Sequence, residues 1–247
     1  MSESFEQAVR SAAASLRAQA DPVAAPIRKA YLKSPFEVLG CTVPTVRKAA
    51  KAVHRVHKKT ERSTLLEPLE RLWASPVHDD RILAMALAQL YVDRFKAGDV
   101  ETLFGRWLGD CQTWDHTDGI SASVVGVIAL HQPDAWRTIA AWSDDAWMWR
   151  RRASLLAHIP AIRQGNLRFA QFRESCDKLI DEREFFIRKA IGWVLREMAT
   201  RDPDLNERLL LEFGPRASRL TIREATRRLP AERRARLLAI LERSPAH

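Results

Sequence analysis

A basic residue followed closely by alanine recurs along this chain at a nearly constant interval, and this recurrence constrains the fold more than any other feature. The alanines stand 35, 69, 37 and 35 residues apart, and 69 is close to two units of the same period. The five groups are Arg47-Lys48-Ala49, Arg81-Ile82-Leu83-Ala84, Arg151-Arg152-Ala153, Arg188-Lys189-Ala190 and Arg223-Glu224-Ala225. A period of about 35 residues predicts a solenoid in which each unit is a pair of antiparallel helices.

The segments around these groups have the spacing of amphipathic helices. Apolar residues return every three or four positions in ILAMALAQLYVDRF and FFIRKAIGWVLREMA, and no convincing period-2 run is bounded by turn residues. Prolines at Pro133, Pro203 and Pro230 stand where helices are expected to begin. We therefore predict an all-α fold of roughly a dozen helices. It forms a single domain over residues 1–247, with the helices of residues 1–40 as a cap.

One unit lacks its basic–alanine group, and an acidic, aromatic segment stands in its place. Counting from Ala84, the group is due near residue 118 or 119, where the chain reads CQTWDHTDG. Trp114 and Asp118 are four residues apart, so on a helix they share one face. The alternative is structural: a buried tryptophan beside an aspartate or Thr113 that caps the helix. The break in the repeat favours a functional site.

Two further segments combine aromatic rings with basic side chains. Gly192 interrupts a strong helix just before Trp193, which indicates tight packing of helices or close approach of another backbone. Trp193 belongs either to the core or to a concave surface beside Trp114. The segment Trp147-Met148-Trp149-Arg150-Arg151-Arg152 is expected to pack its rings between helices. Of its three adjacent arginines, at most two can face the same ligand.

Charge favours a polyanionic partner, either nucleic acid or an anionic membrane surface. The chain has 40 Lys and Arg against 31 Asp and Glu, a formal net charge of +9 and a pI near 9.9. Basic stripes at near-helical spacing lie towards both ends, and each alone is most simply a solvated face. Together on a concave surface they match a duplex backbone. The stripes are Lys48, Lys51, Arg55, Lys58, Lys59 and Arg62, and Arg216, Arg219, Arg223, Arg227 and Arg228.

Several classes of function and environment are disfavoured. No apolar stretch approaches the roughly 20 residues that span a bilayer, and the N-terminus lacks an apolar signal region, so neither a membrane-spanning helix nor a secretory signal is expected. We also predict no membrane partner. Cys41, Cys111 and Cys176 lie far apart, which fits a reducing cytoplasm. His54 and His57 have no third ligand nearby, and no phosphate-binding glycine loop or serine-hydrolase motif is present. We predict no metal and no cofactor.

Several segments of the chain resemble one known protein family. The segments WDHTD (114–118), WRRRASLL (149–156) and FFIRKAIGWVLRE (185–197) resemble the AlkD family of DNA alkylation-repair glycosylases. YLKSPF (31–36) followed by GCTVPTVR (40–47) does so as well. The resemblance covers most of the chain in the family's order. It implies a right-handed solenoid of about six HEAT-like antiparallel helix pairs, which cradles double-stranded DNA on a concave basic face. It also implies removal of cationic N3- and N7-alkylated purines.

The resemblance also assigns roles to individual residues. Asp118 matches the family's catalytic carboxylate, and Trp114 and Trp193 match the tryptophans that line the lesion site. Arg152 matches a DNA-contacting arginine, with a one-residue error in register left open by the run from Arg150. Further DNA contacts are expected from Tyr31, Arg47, Lys48, Arg151, Arg188, Lys189, Arg219 and Arg223. The departures are Cys41, where a small aliphatic residue is common, and His116-Thr117 in the variable middle of the first motif.

The resulting hypothesis is a monofunctional DNA glycosylase, active in base excision repair in the cytoplasm at the bacterial nucleoid, as a monomer. Asp118 would stabilise the oxocarbenium ion formed as the base departs and would orient the attacking water. Lys189, four residues before Trp193, is the obvious amine for a competing lyase reaction. Two other functions remain open: a catalytically inactive protein that binds DNA structures, and a protein-interaction scaffold, the usual role of helical repeats.

Overall fold

The computed structural model describes residues 3–241, so both ends of the predicted domain, residues 1–2 and 242–247, lie outside the described part. Between them the chain is helical, with no strand and one isolated bridge between Glu37 and Val77. The α-helices are α1 (Phe5–Ala18), α2 (Ala24–Leu32), α3 (Val43–Val56), α4 (Arg62–Trp73), α5 (His78–Leu90), α6 (Arg106–Gly109), α7 (Trp114–Ile120), α8 (Gly126–His131), α9 (Ala135–Ala141), α10 (Met148–Leu156), α11 (Ile159–Arg163), α12 (Phe169–Leu179), α13 (Phe185–Ala199), α14 (Pro203–Phe213), α15 (Arg219–Ala225) and α16 (Ala231–Leu241).

Six of these helices form one continuous row, in which each packs on the next: α3, α5, α7, α10, α13 and α15. Their first residues are 34 to 37 residues apart. The helices that lie between α3 and α15 in the chain connect successive members of the row, as α4 does between α3 and α5, while α1 and α2 precede the row and α16 follows it. This arrangement confirms the predicted all-α solenoid and its period of about 35 residues. The row contains six units, as the resemblance implied.

The recurring alanines explain how the row is packed. Ala84, Ala153, Ala190 and Ala225 lie on α5, α10, α13 and α15 and are fully buried, so neighbouring helices approach closely at these points. In the unit that lacks the basic–alanine group, Gly119 takes the alanine's place. A Cβ atom added there would lie 3.0 Å from the Met85 sulfur, so α5 and α7 are in close contact. The missing group is therefore a substitution at the same register, with Asp118 in the position before the small residue.

Helix boundaries follow the capping residues more closely than the prolines. Thr42 accepts a hydrogen bond from the Thr45 backbone at the start of α3, and Ser218 does the same for Thr221 at the start of α15. Pro203 is the first residue of α14, as predicted, with Asp202 as the cap. The other two prolines differ from expectation, since α9 begins two residues after Pro133 and α16 one residue after Pro230.

Short non-α segments divide the predicted dozen helices into more pieces. A π-helical turn over Ser121–Val125 separates α7 from α8 within one continuous helical stretch, and a second one over Val100–Gly105 leads into α6. Short 3₁₀ segments cover Val92–Arg94, Trp142–Asp144 and Gly214–Arg216. None of the described helices has both the length and the apolarity needed to cross a bilayer.

The N-terminal segment, with α1 and α2, packs against the first units of the row. Helix α1 lies on α3 and α4, and Arg17 forms an ion pair with Asp80 at the start of α5, with 2.6 Å between Nη2 and Oδ2. Helix α2 is held less firmly, because Leu32 is its one buried residue. It nevertheless ends beside α7, and this places the segment after it at the functional site.

Candidate functional site

A cleft of about 690 Å³ opens where the end of α2 faces α7, α10, α13 and α15. Its aromatic lining consists of Tyr31, Trp114, Trp149, Phe185, Phe186 and Trp193. Its charged lining consists of Lys33, Asp118, Arg152, Lys189, Arg196 and Glu224. The three residues with predicted catalytic roles, Asp118, Trp114 and Trp193, therefore come together although up to 79 residues of sequence separate them.

Four of the charged lining residues occupy one structural position in four consecutive units. Asp118, Arg152, Lys189 and Glu224 each stand immediately before the small residue of the repeat. Because successive row helices are parallel neighbours in the stack, this position projects into the cleft from each of them. The charges therefore run acidic, basic, basic, acidic across the cleft, with Asp118 and Glu224 at the two ends.

Asp118 is held by a two-pronged ion pair with Arg152. The Arg152 Nε and Nη2 atoms donate to the two carboxylate oxygens at 2.7 and 2.9 Å. Arg152 also donates through Nη1 to the Phe186 carbonyl, and its side chain is only 4% exposed against 14% for Asp118. Such a fork fixes the orientation of the carboxylate as well as its position. The predicted direct contact of Arg152 with DNA stays a prediction.

Two opposing effects act on the protonation of Asp118. Burial raises the pKa of this carboxyl, while the positive charges of Arg152 and Lys189 lower it, and the net shift is upward from the ordinary value of 3.8. Both carboxylate oxygens accept hydrogen bonds from the Arg152 guanidinium, which is a donor only, and this geometry favours the ionised form of Asp118. The cleft thus holds an anionic group at a site where burial already disfavours charge.

The aromatic rings of the cleft form two walls, one from Tyr31 and Trp114 beside α7 and one from Trp193 on α13. Trp114 meets the edge of Tyr31, with ring centroids 5.8 Å apart and planes at 90°. Opposite, Trp193 donates from Nε1 to the Glu197 carboxylate at 3.3 Å, which fixes the plane of the indole. Trp193 is half-buried and lines the cleft, so it is more than a core residue.

Trp149 was expected only to pack between helices, and it does pack against Phe186, with ring centroids 4.9 Å apart. Both residues also line the cleft, a role that the sequence did not predict. The sequence feature that could have identified Trp149 was its position, with Trp147, directly before the recurring arginines. Trp147 is the more exposed of these two indoles and lies outside the cleft lining.

The structure separates the three adjacent arginines. Arg152 alone lines the cleft. Arg150 donates to the Gly105 carbonyl and pairs with Asp145. Arg151 pairs with Glu182 at 2.6 Å and also donates to two backbone carbonyls, and Arg188 donates to the Glu182 carbonyl. The guanidiniums of Arg151 and Arg188 are therefore engaged within the protein, outside the cleft, and their contact with DNA is still only a prediction.

The other basic residues predicted to contact DNA lie on exposed surface. Arg47 and Lys48 are exposed on α3, and Arg219 and Arg223 are exposed on α15. Lys189 is exposed as well and lines the cleft, with its Nζ atom 5.6 Å from the centre of the Phe185 ring. The C-terminal stripe is less free than its sequence suggested. Three of its members pair with carboxylates: Arg216 with Asp181, Arg227 with Glu224, and Arg228 with Glu197.

Glu224 and Arg196 are cleft residues that the sequence did not single out. Their side chains form an ion pair at the wall opposite Asp118. Gly192 makes this contact possible, because a Cβ atom there would lie 2.6 Å from the Glu224 Cβ and 2.9 Å from the Thr221 carbonyl. The glycine therefore marks tight packing of α13 against α15, one of the two explanations offered for it.

One group of side chains has a composition suited to a metal ion. Potential ligand atoms of His78, Asp115 and His116 lie within 4.8 Å of one another. The two imidazole rings are stacked, however, with centroids 4.1 Å apart and an interplanar angle of 25°. Imidazole lone pairs lie in the ring plane, and planes so nearly parallel do not meet at the roughly 2.0–2.1 Å bond length of a zinc–nitrogen contact. One ring would have to turn for both histidines to bind the same ion.

The first histidine pair considered in the sequence has a packing role. His54 and His57 stack edge-on against Tyr91 and Phe5, with centroid distances of 4.7 and 5.8 Å. Neither belongs to a group of metal-ligating side chains among residues 3–241. The absence of a metal from the function remains a prediction.

Comparisons with known proteins agree with this architecture. The sequence profile of the family described as "DNA alkylation repair enzyme" matches residues 12–229. No curated protein matches the chain. Among solved structures, the one described as "Predicted DNA alkylation repair enzyme from Enterococcus faecalis" superimposes with a TM-score of 0.77 at 23% identity. That match covers 86% of this chain and 97% of the other, and it concerns the fold. Because the family profile spans nearly all of the row of helices and every residue of the cleft, the chain belongs to the DNA alkylation repair enzyme family.

Proposed function

We propose that this protein is a DNA glycosylase that excises cationic N3- and N7-alkylated purines from duplex DNA. The observation that carries the proposal is the Asp118 carboxylate, oriented and half-enclosed between aromatic walls in a basic solenoid. Alkylation at N3 or N7 gives the purine a positive charge and weakens its glycosidic bond. As this bond breaks, positive charge moves to the deoxyribose, and an anion beside the sugar stabilises that transition state.

The size of this stabilisation depends on the Arg152 partner. A carboxylate about 4 Å from the sugar cation, at an effective dielectric near 20, contributes about 4 kcal/mol. A guanidinium behind the carboxylate, about 8 Å from the sugar, opposes it by about 2 kcal/mol. The net of about 2 kcal/mol corresponds to about 30-fold in rate, against about a thousandfold for the carboxylate alone. Either value suits a substrate that is already prone to lose its base.

The aromatic walls are suited to a flat, cationic ligand. A cation over an indole face gains roughly 0.5–2 kcal/mol, and Trp114, Trp149 and Trp193 supply such faces around Asp118. Since Trp193 is held by Glu197, little rotational freedom of its ring would be lost when a ligand binds. These walls would hold the damaged nucleotide while the carboxylate acts on its sugar.

Hydrolysis needs only a water molecule positioned by Asp118, so the proposed enzyme is monofunctional. Lys189 is the amine that could instead support a lyase reaction, because it lines the same cleft. Borohydride treatment during turnover tests this point directly. We expect no covalent protein–DNA adduct, and an adduct that disappears in Lys189→Arg would show lyase chemistry instead.

The assay that tests the proposal measures release of 7-methylguanine and 3-methyladenine from methylated duplex DNA. We expect release of both bases by the wild-type protein and no strand cleavage before alkaline treatment. Matched unmethylated duplex is the control, and no base should leave it. Failure to release either base from methylated duplex, by a protein that binds the duplex, would refute glycosylase activity.

A non-catalytic DNA-binding protein is the second candidate, and one observation favours it. Arg152 already neutralises Asp118, so the cleft offers a dipole instead of a free anion. This candidate predicts tight, salt-sensitive binding to duplex or branched DNA with no base release. A protein-interaction scaffold, by contrast, predicts no salt-sensitive DNA affinity in the same experiment.

A further inference from the structure

We infer that His78 is a positioning residue of the cleft, which joins the segment carrying Tyr31 to the helix carrying Trp114 through a buried chain of hydrogen bonds. The inference rests on the proposed function of that cleft. His78 is the first residue of α5 and is 1% exposed. It touches neither the cleft nor any predicted site residue, so its role would be exerted through its neighbours.

The chain of hydrogen bonds has a defined direction. The His78 Nε2 atom lies 2.8 Å from an oxygen of Asp115, and the Nδ1 atom lies 3.1 Å from the Ser34 hydroxyl. A carboxylate only accepts, so Nε2 carries the proton. The Ser34 oxygen already accepts from the Phe36 backbone, which leaves its own hydrogen free to donate to Nδ1. A neutral imidazole thus satisfies every contact in the order Ser34, His78, Asp115.

Both ends of this chain adjoin cleft residues. Ser34 follows Tyr31 by three residues, just beyond the end of α2, and Asp115 directly follows Trp114 in the first turn of α7. Tyr31 itself is 73% exposed, and its ring meets the Trp114 ring edge-on. Because Leu32 is the one buried residue of α2, the packing of this helix does little to fix the Tyr31 ring. The bond through Ser34 therefore ties the segment carrying Tyr31 to α7.

The first turn of α5 is built to hold the N-terminal segment. The His78 backbone donates to the Glu37 carbonyl at 2.7 Å, Asp79 accepts from the Leu39 backbone at 2.8 Å, and Asp80 pairs with Arg17. Only His78 reaches onward to α7. Among these contacts, it is the one that couples the N-terminal segment to the helix carrying Trp114 and Asp118.

The test uses substitutions that remove the two hydrogen bonds of the His78 side chain either together or one at a time. His78→Leu removes both bonds. His78→Gln places an amide where Nε2 was and keeps a donor to Asp115, whereas His78→Asn reaches only the Ser34 side. Arg17→Met is the matched control, because it removes another contact between the N-terminal segment and the same turn of α5 without touching α7.

Two measurements are made on each variant. The single-turnover rate of base release, at saturating protein, should fall about tenfold to a hundredfold in His78→Leu, the range expected from misplacing catalytic groups. Duplex affinity should change little, and His78→Gln should recover more of the rate than His78→Asn. Hydrogen exchange of the α7 amides, read by mass spectrometry, should accelerate in His78→Leu and stay as in wild type in Arg17→Met.

The outcomes separate the positioning role from the proposed function. If wild type releases no base, the glycosylase proposal fails, and the exchange of α7 amides still decides whether His78 holds that helix. Unchanged exchange in His78→Leu would overturn the inference. So would a loss of turnover in Arg17→Met as large as that in His78→Leu, because the effect would then be general loosening of the N-terminal segment.

Discussion

Replacement of Asp118 by asparagine tests the chemistry of the cleft most directly. Asparagine has nearly the same shape, keeps one oxygen that can accept from Arg152, and loses the negative charge. From the geometry of the ion pair, the carboxylate and guanidinium together favour a sugar cation by about 2 kcal/mol, and the carboxylate alone by about 4 kcal/mol. Because Arg152 keeps its charge in the variant, Asp118→Asn loses the whole carboxylate contribution of about 4 kcal/mol, and we expect base release to slow by about a thousandfold.

The substitution also affects stability, and this must be measured separately. Arg152 would stay buried without its countercharge, and breaking such a pair commonly costs about 3–5 kcal/mol. The remaining bond from Arg152 to the Phe186 carbonyl should soften this loss. Urea unfolding gives the free energy of unfolding, and rates are compared at a temperature where both proteins are folded.

Asp110→Asn is the matched control. Asp110 pairs with Arg81, a buried arginine one unit earlier in the solenoid, and lies outside the cleft. It should lose some stability and retain full activity. The assay is single-turnover release of 7-methylguanine, with duplex affinity measured in parallel. Wild-type turnover by a folded Asp118→Asn protein would refute the electrostatic argument. Equal losses in the two variants would refute its assignment to the cleft.

The pH dependence of the same reaction gives an independent check. Catalysis needs ionised Asp118, and burial raises the pKa of this group in spite of Arg152. Activity should therefore fall on acidification through a pKa above 3.8, the ordinary value for aspartate. A rate that stays constant as the pH falls through 4, in a protein that circular dichroism shows to be folded, would contradict the role of Asp118.

Three further predictions concern packing, acid stability and DNA affinity. Gly192→Ala should destabilise the protein by about 1–3 kcal/mol in urea unfolding, because the new methyl group meets α15; in an unobstructed helix it would stabilise by about 1 kcal/mol. Burial lowers the pKa of both His116 and His158 to about 3, so the unfolded chain binds more protons than the folded one below about pH 6.5. The free energy of unfolding should thus fall as pH drops towards 4, by up to about 1.4 kcal/mol per pH unit for each histidine, and His158→Phe should reduce this slope. Lys189→Gln should reduce the slope of log affinity for duplex against log salt by about 1, whereas Arg151→Gln, whose arginine is held by Glu182, should leave it unchanged.

The fold was predictable because its packing depends on small residues at a fixed interval. The alanines at the contacts between row helices recur at that interval in the sequence, and four of the five recurring alanines are fully buried. The unit of α7 looked like an interruption of the repeat because it has Gly119 in place of the recurring alanine. Glycine and alanine are both small enough to allow close contact with α5. The number of helices was underestimated because π and 3₁₀ turns divide segments that share one apolar pattern.

The site was predictable in part. Trp114 and Asp118 share a face over one helical turn, so local spacing was sufficient to join them. The Asp118–Arg152 pair connects two units, 34 residues apart, and no local pattern states which of three adjacent arginines makes it. Each successive residue on a helix turns by about 100°, so the choice depends on where α10 begins. The sequence did not single out Glu224, because the recurring basic–alanine pattern was recognised from Arg223, the basic residue beside it.

Asp118, Arg152, Lys189 and Glu224 occupy the same position in four consecutive units, and this has a consequence for how the cleft can change during evolution. Each of these side chains stands on a different unit, so the gap between the acid at one end and the acid at the other is set by the rise and twist from one unit to the next. A substitution on the outer helices that slightly alters this superhelical pitch would widen or narrow the opening without touching any residue in it. If the protein is the proposed glycosylase, its tolerance for bulkier adducts is therefore tuned from the far side of the molecule.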